Sequence, residues 1–247
     1  MIKKIFFSIF GVIFNGDNCA YDRQIWLKTY LPLYNLNENK KLLDVGCGNG
    51  WALYLADKAG YQVTGISFSE KDLNKIKSRK KYNSFNLINH DVRNLNTLKI
   101  EDKFDAIVNF ENIEHIIDYK KLIKDMSELT MNGGLVFLTT PNIFHKIPFI
   151  KEVKLSDFED GGHVIRGFSF EQIIQEAKKH DLVLLKRSYI SNKLSLILLG
   201  ISRKFNSRFF KVLTIPLTVI FNFLDRKFFC DYQNSLSVGM IFQKLEQ

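Results

Sequence analysis

The chain has 247 residues, of which 46% are hydrophobic and 25% charged, and its formal net charge is +9. This composition excludes a disordered or fibrous protein, and the length leaves room for a full hydrophobic core with extensions. The three cysteines, Cys19, Cys47 and Cys230, are far apart and form no CxxC pair. Neither a zinc knuckle nor a secreted disulfide framework is therefore expected, and a cytoplasmic location fits best.

Near the start of the chain, Lys3 and Lys4 precede an apolar stretch over residues 5–14. That stretch is similar to a signal peptide but lacks the small-residue cleavage site that would follow. We predict a helical N-terminal cap over residues 1–40 instead. A transmembrane helix needs roughly 20 uninterrupted apolar residues. The longest apolar run, residues 212–224, contains Pro216 and Asn222, so no membrane span is expected.

From Lys41 to Ser188, short apolar runs alternate with amphipathic stretches, which is typical of βαβ units in a parallel sheet. Helices are predicted over residues 51–59 and, behind the capping box of Ser169 and Gln172, from residue 170 to about His180. The predicted fold is α/β: one domain over residues 1–247, with a doubly wound, seven-stranded, mostly parallel sheet and helices on both faces. Its core spans residues 41–188, a helical insertion or cap spans 189–235, and the last strand spans 236–247. The strands are predicted at residues 41–45, 62–66, 85–89, 104–109, 134–139, 182–188 and 236–242.

A glycine-rich loop follows the first predicted strand in the sequence Leu42-Leu43-Asp44-Val45-Gly46-Cys47-Gly48-Asn49-Gly50. Gly46 and Gly48 allow a tight turn and a close backbone approach by a ligand, and the next helix offers unpaired N–H groups. The carboxylate of Asp44 just before the turn suits a cationic or amine-bearing ligand better than a pyrophosphate. The loop therefore indicates a site for a positively charged small molecule.

These residues resemble the first motif of the Rossmann-like S-adenosylmethionine-dependent methyltransferases. Three later segments, residues 63–69, 90–92 and 104–109, resemble that family's second, third and fourth strand ends, and residues 131–137 resemble its turn into strand five. The resemblance implies a cofactor over the carboxyl ends of the first strands, where open α/β sheets bind ligands. The residues it implies for cofactor binding are Asp44, Gly46, Cys47, Gly48, Gly50, Ser67, Phe68, Asp91, Val92 and Asn109.

Ser67 departs from the family pattern, which has an acidic residue for the ribose hydroxyls at this place. A neutral hydrogen bond contributes about 0.5–1.5 kcal/mol and a charged one about 1.5–3 kcal/mol, so weaker cofactor binding is expected. Residues 65–69 are also similar to cyclopropane fatty acid synthases, which have a hydroxyl residue there.

An acidic and histidine cluster follows the fourth predicted strand in Glu111-Asn112-Ile113-Glu114-His115. On a helix, Glu111, Glu114 and His115 would share one face, and His163 would approach from the loop before the capped helix. The pattern resembles the ubiquinone-pathway and small-RNA O-methyltransferases, which hold a divalent metal with such a cluster. A site for Mg²⁺ or Mn²⁺ formed by Glu111, Glu114, His115 and His163 is one interpretation. The other assigns catalytic roles to His115, Glu114 and His163 without a metal, or leaves the Glu-His pair to order the loop.

Other polar residues receive lesser predictions. His90, His145 and His180 are given no role. Residues 139–142, Thr-Thr-Pro-Asn, are expected to turn the chain after strand five and to line the acceptor pocket.

The C-terminal region holds much of the positive charge, since nine basic residues and one acid lie between Lys186 and Lys227. Mixed with these are apolar runs and phenylalanines, so three interpretations stay open: a helical cap or homodimer surface, a membrane-surface helix, and a nucleic-acid face. The last is the least favoured because no RNA-binding module is present.

The sequence predicts an S-adenosylmethionine-dependent methyltransferase that methylates an oxygen of a small polar acceptor. The leading acceptor is a sugar, sugar nucleotide or surface-polysaccharide intermediate. Three alternatives stay open: a lipid or quinone methyltransferase at the inner membrane surface, a small-RNA 2′-O-methyltransferase, and a binding module without catalysis.

Overall fold

Seven β-strands form one sheet in the computed structural model, which describes residues 18–34, 40–79, 84–100, 102–150, 154–205 and 214–246. The strands are β1 (Lys41–Val45), β2 (Gln62–Ser67), β3 (Asn86–Asn89), β4 (Phe104–Phe110), β5 (Thr130–Pro141), β6 (Leu182–Ile190) and β7 (Ser237–Lys244). The α-helices in these ranges are α1 (Asn18–Tyr30), α2 (Trp51–Lys58), α3 (Glu70–Lys77), α4 (Tyr119–Leu129), α5 (Phe170–Lys178), α6 (Lys193–Phe205) and α7 (Ile215–Phe228).

The strand order is β3-β2-β1-β4-β5-β7-β6. The first five strands pair in parallel, whereas β7 runs antiparallel between β5 and β6. The chain proceeds outward from β1 to β3 and then returns to place β4 on the other side of β1. This reversal opens a crevice at the carboxyl ends of β1 and β4, where doubly wound sheets bind ligands. The predicted Rossmann-like, mostly parallel sheet is confirmed.

Two hydrophobic layers cover the two faces of the sheet, because successive strand side chains point to opposite sides. Leu42 and Val108 belong to the layer under α1, α2 and α3, whereas Leu43 and Ile107 belong to the layer under α4 and α5. Near-continuous burial of β1 and β4 explains why these strands have apolar runs without a polar face.

Helices α6 and α7 form a further layer against α1. The Asp225 carboxylate on α7 accepts hydrogen bonds from the N–H groups of Leu194 (2.9 Å) and Ser195 (2.8 Å), and so caps the N-terminus of α6. Asn222 on α7 donates to Asp22 on α1 at 2.7 Å, in a buried position. Three segments that are distant in sequence are thus held together by buried polar contacts.

The structure corrects several boundaries. Strand β5 spans residues 130–141 where 134–139 was predicted, and β7 begins at Ser237 and extends to Lys244. The capped helix ends at Lys178, two residues before the predicted end, although its capping box is present. Residues 139–141 do not turn the chain as predicted, because they continue β5 in register with β7. The apolar N-terminal stretch and residues 206–213 lie outside the described residues.

Candidate active site

The glycine loop joins β1 to α2 with three glycines at positive φ, namely Gly46 (+85°), Gly48 (+46°) and Gly50 (+75°). Residues with a side chain rarely adopt this backbone conformation, so the loop depends on glycine. A Cβ on Gly46 would lie 2.9 Å from the Asn112 side chain, whereas a Cβ on Gly48 would meet no atom within 4 Å. The space beside Gly48 is therefore open for a ligand, and Asn112 brings the segment after β4 against the loop.

Asp44 and Cys47 lie under this loop, both buried. Burial raises the pKa of Asp44 to about 8. Burial also raises the pKa of the Cys47 thiol, so this side chain is a neutral packing group and not a nucleophile. A cation bound beside Asp44 would favour its carboxylate form, which agrees with the predicted preference for a cationic ligand.

The end of β2 presents Ser67 and Phe68. The Ser67 hydroxyl accepts a hydrogen bond from the N–H of Ser69 at 3.1 Å, and Ser69 caps α3. Asn89 donates to the carbonyls of Ser67 and Phe68, both at 3.1 Å. The contact with Ser69 uses one of the two acceptor positions of the Ser67 hydroxyl and leaves its O–H free to donate. The Phe68 ring is 73% exposed and free to cover a ligand in the crevice.

Asp91 is part of an exposed ion-pair chain. Its carboxylate accepts from Arg93 Nε at 2.8 and 2.9 Å and is close to a terminal guanidinium nitrogen of the same residue. Arg93 also contacts Glu159 at 2.8 Å, and this environment lowers the pKa of Asp91. Val92 is buried in the core. The predicted cofactor contacts of Asp91 and Val92 remain predictions.

Asn109 has a different place from the one predicted. It is fully buried, and its Nδ2 donates to the carbonyl of Val45 at 2.9 Å. The side chain therefore joins the end of β4 to the start of the glycine loop and supports the crevice from beneath. Because the Asn109 side chain is fully buried, it does not reach a ligand in the crevice directly.

Glu111 is not on a helix with Glu114 and His115, so the predicted shared helical face is wrong. It has a positive φ of 48°, and the helical turn that follows is a short 3₁₀ segment, Ile113–His115. The Glu111 carboxylate faces Arg23 on α1 at 3.6 Å and accepts from Ser237 at 3.2 Å. Both contacts use Oε2, and Glu111 does not belong to the close group that Glu114, His115 and His163 form.

Glu114, His115 and His163 do come together, with one ligand atom from each within 4.8 Å of the others. The carbonyl of Glu114 accepts hydrogen bonds from the N–H groups of Val164 and Ile165, both at 3.0 Å, which brings the His163 loop to this turn. The two imidazole rings meet edge to face with centroids 4.7 Å apart. The three residues are thus close together, as the sequence predicted. A loop and a 3₁₀ turn bring them together, and not one face of a helix.

Hydrogen bonding assigns the His115 tautomer. Nδ1 lies 2.9 Å from the Gly162 carbonyl oxygen, which can only accept, so Nδ1 carries the hydrogen and the lone pair of neutral His115 is on Nε2. Nε2 is 3.9 Å from Glu114 Oε1, a buried oxygen without a hydrogen-bond partner among the described residues. The other carboxyl oxygen accepts from Thr140 at 3.3 Å.

Burial controls the charge of this cluster. Burial and the neighbouring Glu111 raise the pKa of Glu114 well above its usual value. Burial, with His115, His145 and Arg203 nearby, lowers the pKa of His163 to about 4. Burial thus favours the protonated form of Glu114, and the lowered pKa leaves His163 neutral at pH 7, so an imidazole lone pair is available to accept a proton or to bind a metal ion.

A cavity of about 620 Å³ lies beside the cluster. It is lined by groups from distant parts of the chain: Arg23, Glu111, Glu114, His115, Pro141, His145, Lys146, Ile147, Ile150, Leu155, His163, Arg166, Arg203 and Leu236. Its four basic residues, Arg23, Lys146, Arg166 and Arg203, belong to no sequence motif and were not predicted, and no role was predicted for His145. Pro141 lines the cavity as expected for residues 139–142, while Thr139 and Thr140 are buried behind it.

Arg203 of α6, within the predicted cap, lines this cavity, and so does Leu236, which directly precedes β7; the cap over a substrate pocket stays a prediction. Gly200 of α6 packs so closely on the loop after β5 that a Cβ there would lie 2.2 Å from the Pro148 carbonyl oxygen. The outer side of α7 exposes Leu217, Ile220 and Phe223. Within the described ranges, no helix has both the length and the apolar character that crossing a bilayer requires.

Comparison with known proteins connects this geometry to a family. A family model described as a methyltransferase domain matches residues 21–185. A ubiquinone biosynthesis O-methyltransferase of Pelagibacter ubique is 37% identical over 105 residues, which are 42% of this chain and 43% of that protein. The chain thus spans less than half the length of the curated relatives it matches.

Solved structures show the same fold. An S-adenosylmethionine-dependent methyltransferase from Mesorhizobium loti superposes with a TM-score of 0.55 at 13% identity, covering 87% of this chain and 96% of that one. Phosphoethanolamine N-methyltransferase 2 of Haemonchus contortus, solved with S-adenosyl-L-methionine, gives 0.63 at 18% identity over 92% of this chain and 53% of its own. With a family model that covers two thirds of its length, the chain belongs to the methyltransferase domain family.

Proposed function

We propose that this protein transfers the methyl group of S-adenosylmethionine to a hydroxyl oxygen of an acceptor in the cavity beside His115. The observation that carries the proposal is the contact between the two halves of the site. Asn112 packs against Gly46 of the glycine loop, and two residues later Glu114 and His115 line the cavity. A donor on the loop and an acceptor in the cavity are therefore neighbours.

The residues of the loop fit the donor. Open space beside Gly48 admits a ligand close to the backbone, and buried Asp44 supplies a carboxylate for the amine or sulfonium charge. Bound S-adenosylmethionine supplies an electrophilic methyl group. The chain has to align the acceptor with that methyl group and exclude water, tasks that orientation and burial perform.

His115 is the residue positioned to accept the hydroxyl proton. Its Nδ1 hydrogen is fixed on the Gly162 carbonyl, which leaves Nε2 as the base. His163, neutral because of its lowered pKa, stands edge to face against it and can accept a hydrogen bond from the acceptor. A hydroxyl is a poor nucleophile at neutral pH, so removal of its proton is the step that needs a specific side chain.

The same three residues fit a divalent metal. Glu114 Oε1 is buried without a hydrogen-bond partner among the described residues, and the imidazoles of His115 and His163 complete a mixed oxygen and nitrogen ligand set. When bound, Mg²⁺ or Mn²⁺ would lower the pKa of an acceptor hydroxyl. Electron paramagnetic resonance of free Mn²⁺ tests this site. The signal should decrease when the natural chain is added and stay unchanged when Glu114→Gln is added.

The names of the matched relatives favour a phenolic ring of a quinone-type acceptor over the sugar predicted first. A catechol has two adjacent hydroxyls. One would lie at His115, the base, and the other at His163. The sugar or polysaccharide acceptor remains the second candidate because the cavity is rich in polar groups. The exposed apolar side of α7, with Arg226 and Lys227 at its end, supports a peripheral membrane contact that would bring a lipid-linked acceptor to the cavity.

The experiment is methyl transfer from labelled S-adenosylmethionine to a panel of catechols and sugars by the natural chain, His115→Ala and the control His180→Ala. We expect His115→Ala to lower kcat by about a hundredfold, the range of general-base catalysis, with unchanged cofactor affinity. His180 follows the end of α5, with Nε2 3.4 Å from Glu176, and does not line the cavity, so its variant should keep full turnover. Equal turnover of all three would contradict the assignment.

A further inference from the structure

A second cavity, of about 420 Å³, lies between α1, β6 and α7. It shares no lining residue with the acceptor cavity, since α1 contributes Asp22 to the second cavity and Arg23 to the acceptor cavity. The second cavity is lined by buried side chains, such as Asp22 and Asn192, and by exposed ones, such as Lys186 and Asp231. It is therefore a pocket that opens to solvent at its rim and has a buried polar floor.

The floor of the second cavity contains polar atoms that lack a hydrogen bond. Asp22 Oδ2, Asn192 Oδ1 and Trp26 Nε1 are buried and have no hydrogen-bond partner in the ranges that the structure describes. Asn222 donates to the other oxygen of Asp22, Oδ1, at 2.7 Å and so fixes the carboxylate with Oδ2 unpaired. The Ser191 hydroxyl lowers the pKa of Asp22 from nearby, but its oxygen is also without a hydrogen bond to the described residues. Buried polar atoms are nearly always paired, so this group of atoms indicates a bound partner.

The unpaired atoms define the chemistry of that partner. The carboxylate oxygen of Asp22 and the amide oxygen of Asn192 accept hydrogen bonds, so the partner has to donate to them. The indole N–H of Trp26 can only donate, so the partner also needs an oxygen that accepts. A primary ammonium group has three donors and a positive charge, and its hydrogen bonds to a carboxylate are stronger than neutral ones. The rings of Tyr30 and Phe170 in the same wall would cover the carbon chain of such a compound.

We propose that the second cavity binds a small primary amine, with its ammonium group on Asp22 and Asn192 and an oxygen of the same compound on Trp26. The ammonium group would favour the carboxylate form of Asp22, whose pKa burial raises to about 7. Asp225, the other buried carboxylate in the wall, already accepts two N–H groups at the start of α6. Lys186 at the rim is exposed, with its ammonium group 5.8 Å from the centre of the Tyr30 ring, so water and salt screen its charge from the floor.

The test is nuclear magnetic resonance of the full chain labelled with ¹⁵N-tryptophan, titrated with propylamine, propanolamine, propanol and tetramethylammonium at constant ionic strength. At about pH 8 both primary amines are protonated. The chain has two tryptophans, so its spectrum has two indole N–H signals, and Trp26→Phe assigns the signal of Trp26. We expect the amines to shift this signal and to bind about tenfold or more tightly than propanol and tetramethylammonium, which lack the N–H donors. Propanolamine should bind most tightly, because its oxygen can accept from the indole.

Variants locate the bound amine. Asp22→Asn removes the carboxylate and should weaken propylamine binding by about tenfold or more, whereas Trp26→Phe should remove only the preference for propanolamine. Asp57→Asn is the matched control, because Asp57 is an exposed carboxylate on α2 that does not line the second cavity. No shift with any compound would mean that water alone pairs the floor, and it would overturn the proposal. Tetramethylammonium binding as tight as propylamine binding, or equal losses in Asp22→Asn and Asp57→Asn, would overturn it as well.

Discussion

The two halves of the site are built in opposite ways. The donor side is local: the glycines, Asp44 and the start of α2 lie within ten consecutive residues around one turn. The acceptor side is composite, since its cavity takes residues from α1, the segment after β4, two loops, α6 and the start of β7. Local turns need particular residue types, whereas a composite pocket needs only that distant segments pack in one arrangement. The donor side is therefore visible as a sequence motif, whereas the acceptor side is not.

The largest effect should come from filling the donor side. Gly48→Val would place a branched side chain in the open space of the loop, and we expect a loss of S-adenosylmethionine affinity of about a hundredfold or more. Gly60→Val is the matched control, because Gly60 also has positive φ (+88°) and no atom within 4 Å of an added Cβ, but lies at the end of α2. Calorimetric titration checks both. Equal loss in the two variants would mean that strain, and not occupation of the site, is responsible.

The stability of the fold should respond to pH through Asp22, which holds α1 to α7. Burial raises its folded-state pKa to about 7 from 3.8, so the folded chain retains a proton that the unfolded chain has lost. The contribution of Asp22 to the free energy of unfolding should therefore be largest below about pH 4, fall as the pH rises to about 7 and then level off. The fall is on the order of a few kcal/mol.

Urea unfolding at several pH values measures this dependence. Asp22→Asn keeps the size of the side chain and an oxygen that can accept from Asn222, but its amide does not ionise. Its pH dependence over this window should be flatter than that of the natural chain. The same pH dependence in the natural chain and in Asp22→Asn would instead show that Asp22 is ionised in the folded state over this window.

The close contact of α6 with the loop after β5 gives a smaller effect. Alanine in place of a helical glycine ordinarily stabilises by about 1 kcal/mol. At Gly200 the added Cβ would lie 2.2 Å from the Pro148 carbonyl oxygen, and overpacking of this kind costs about 1–3 kcal/mol. We expect Gly200→Ala to lower the free energy of unfolding and to weaken acceptor binding, with unchanged S-adenosylmethionine affinity. Weaker cofactor binding would show that the two sides are not separable.

The smallest effect concerns Asp44. If its carboxylate receives the positive charge of the cofactor, binding must release the proton that burial retains up to about pH 8. The affinity for S-adenosylmethionine should then rise by at most about tenfold per pH unit below 8 and become constant above it. Titration in buffers of different ionisation enthalpy reports the released proton directly. Asp44→Asn should bind weakly and without this pH dependence.

The same contrast explains what could be predicted from the sequence. The seven-stranded, mostly parallel sheet and the turn of the glycine loop could be predicted because apolar runs and obligatory glycines are local features of the sequence. Glu114, His115 and His163 were grouped correctly, but Glu111 was assigned to them by assuming a helix where its φ is positive. Arg23, Lys146, Arg166 and Arg203 were missed because only tertiary packing brings them to the cavity. Asn109 was mistaken for a cofactor contact, since its position at a strand end does not reveal that its side chain is buried against Val45.

The central claim is that the glycine loop binds S-adenosylmethionine independently of the composite acceptor side. The most direct measurement is calorimetric titration of S-adenosylmethionine and its demethylated product into the full chain, with EDTA and then with Mn²⁺ restored. We expect both compounds to bind under all conditions, with the metal altering only later acceptor assays. Absence of binding to the folded chain, or binding that requires Mn²⁺, would contradict it.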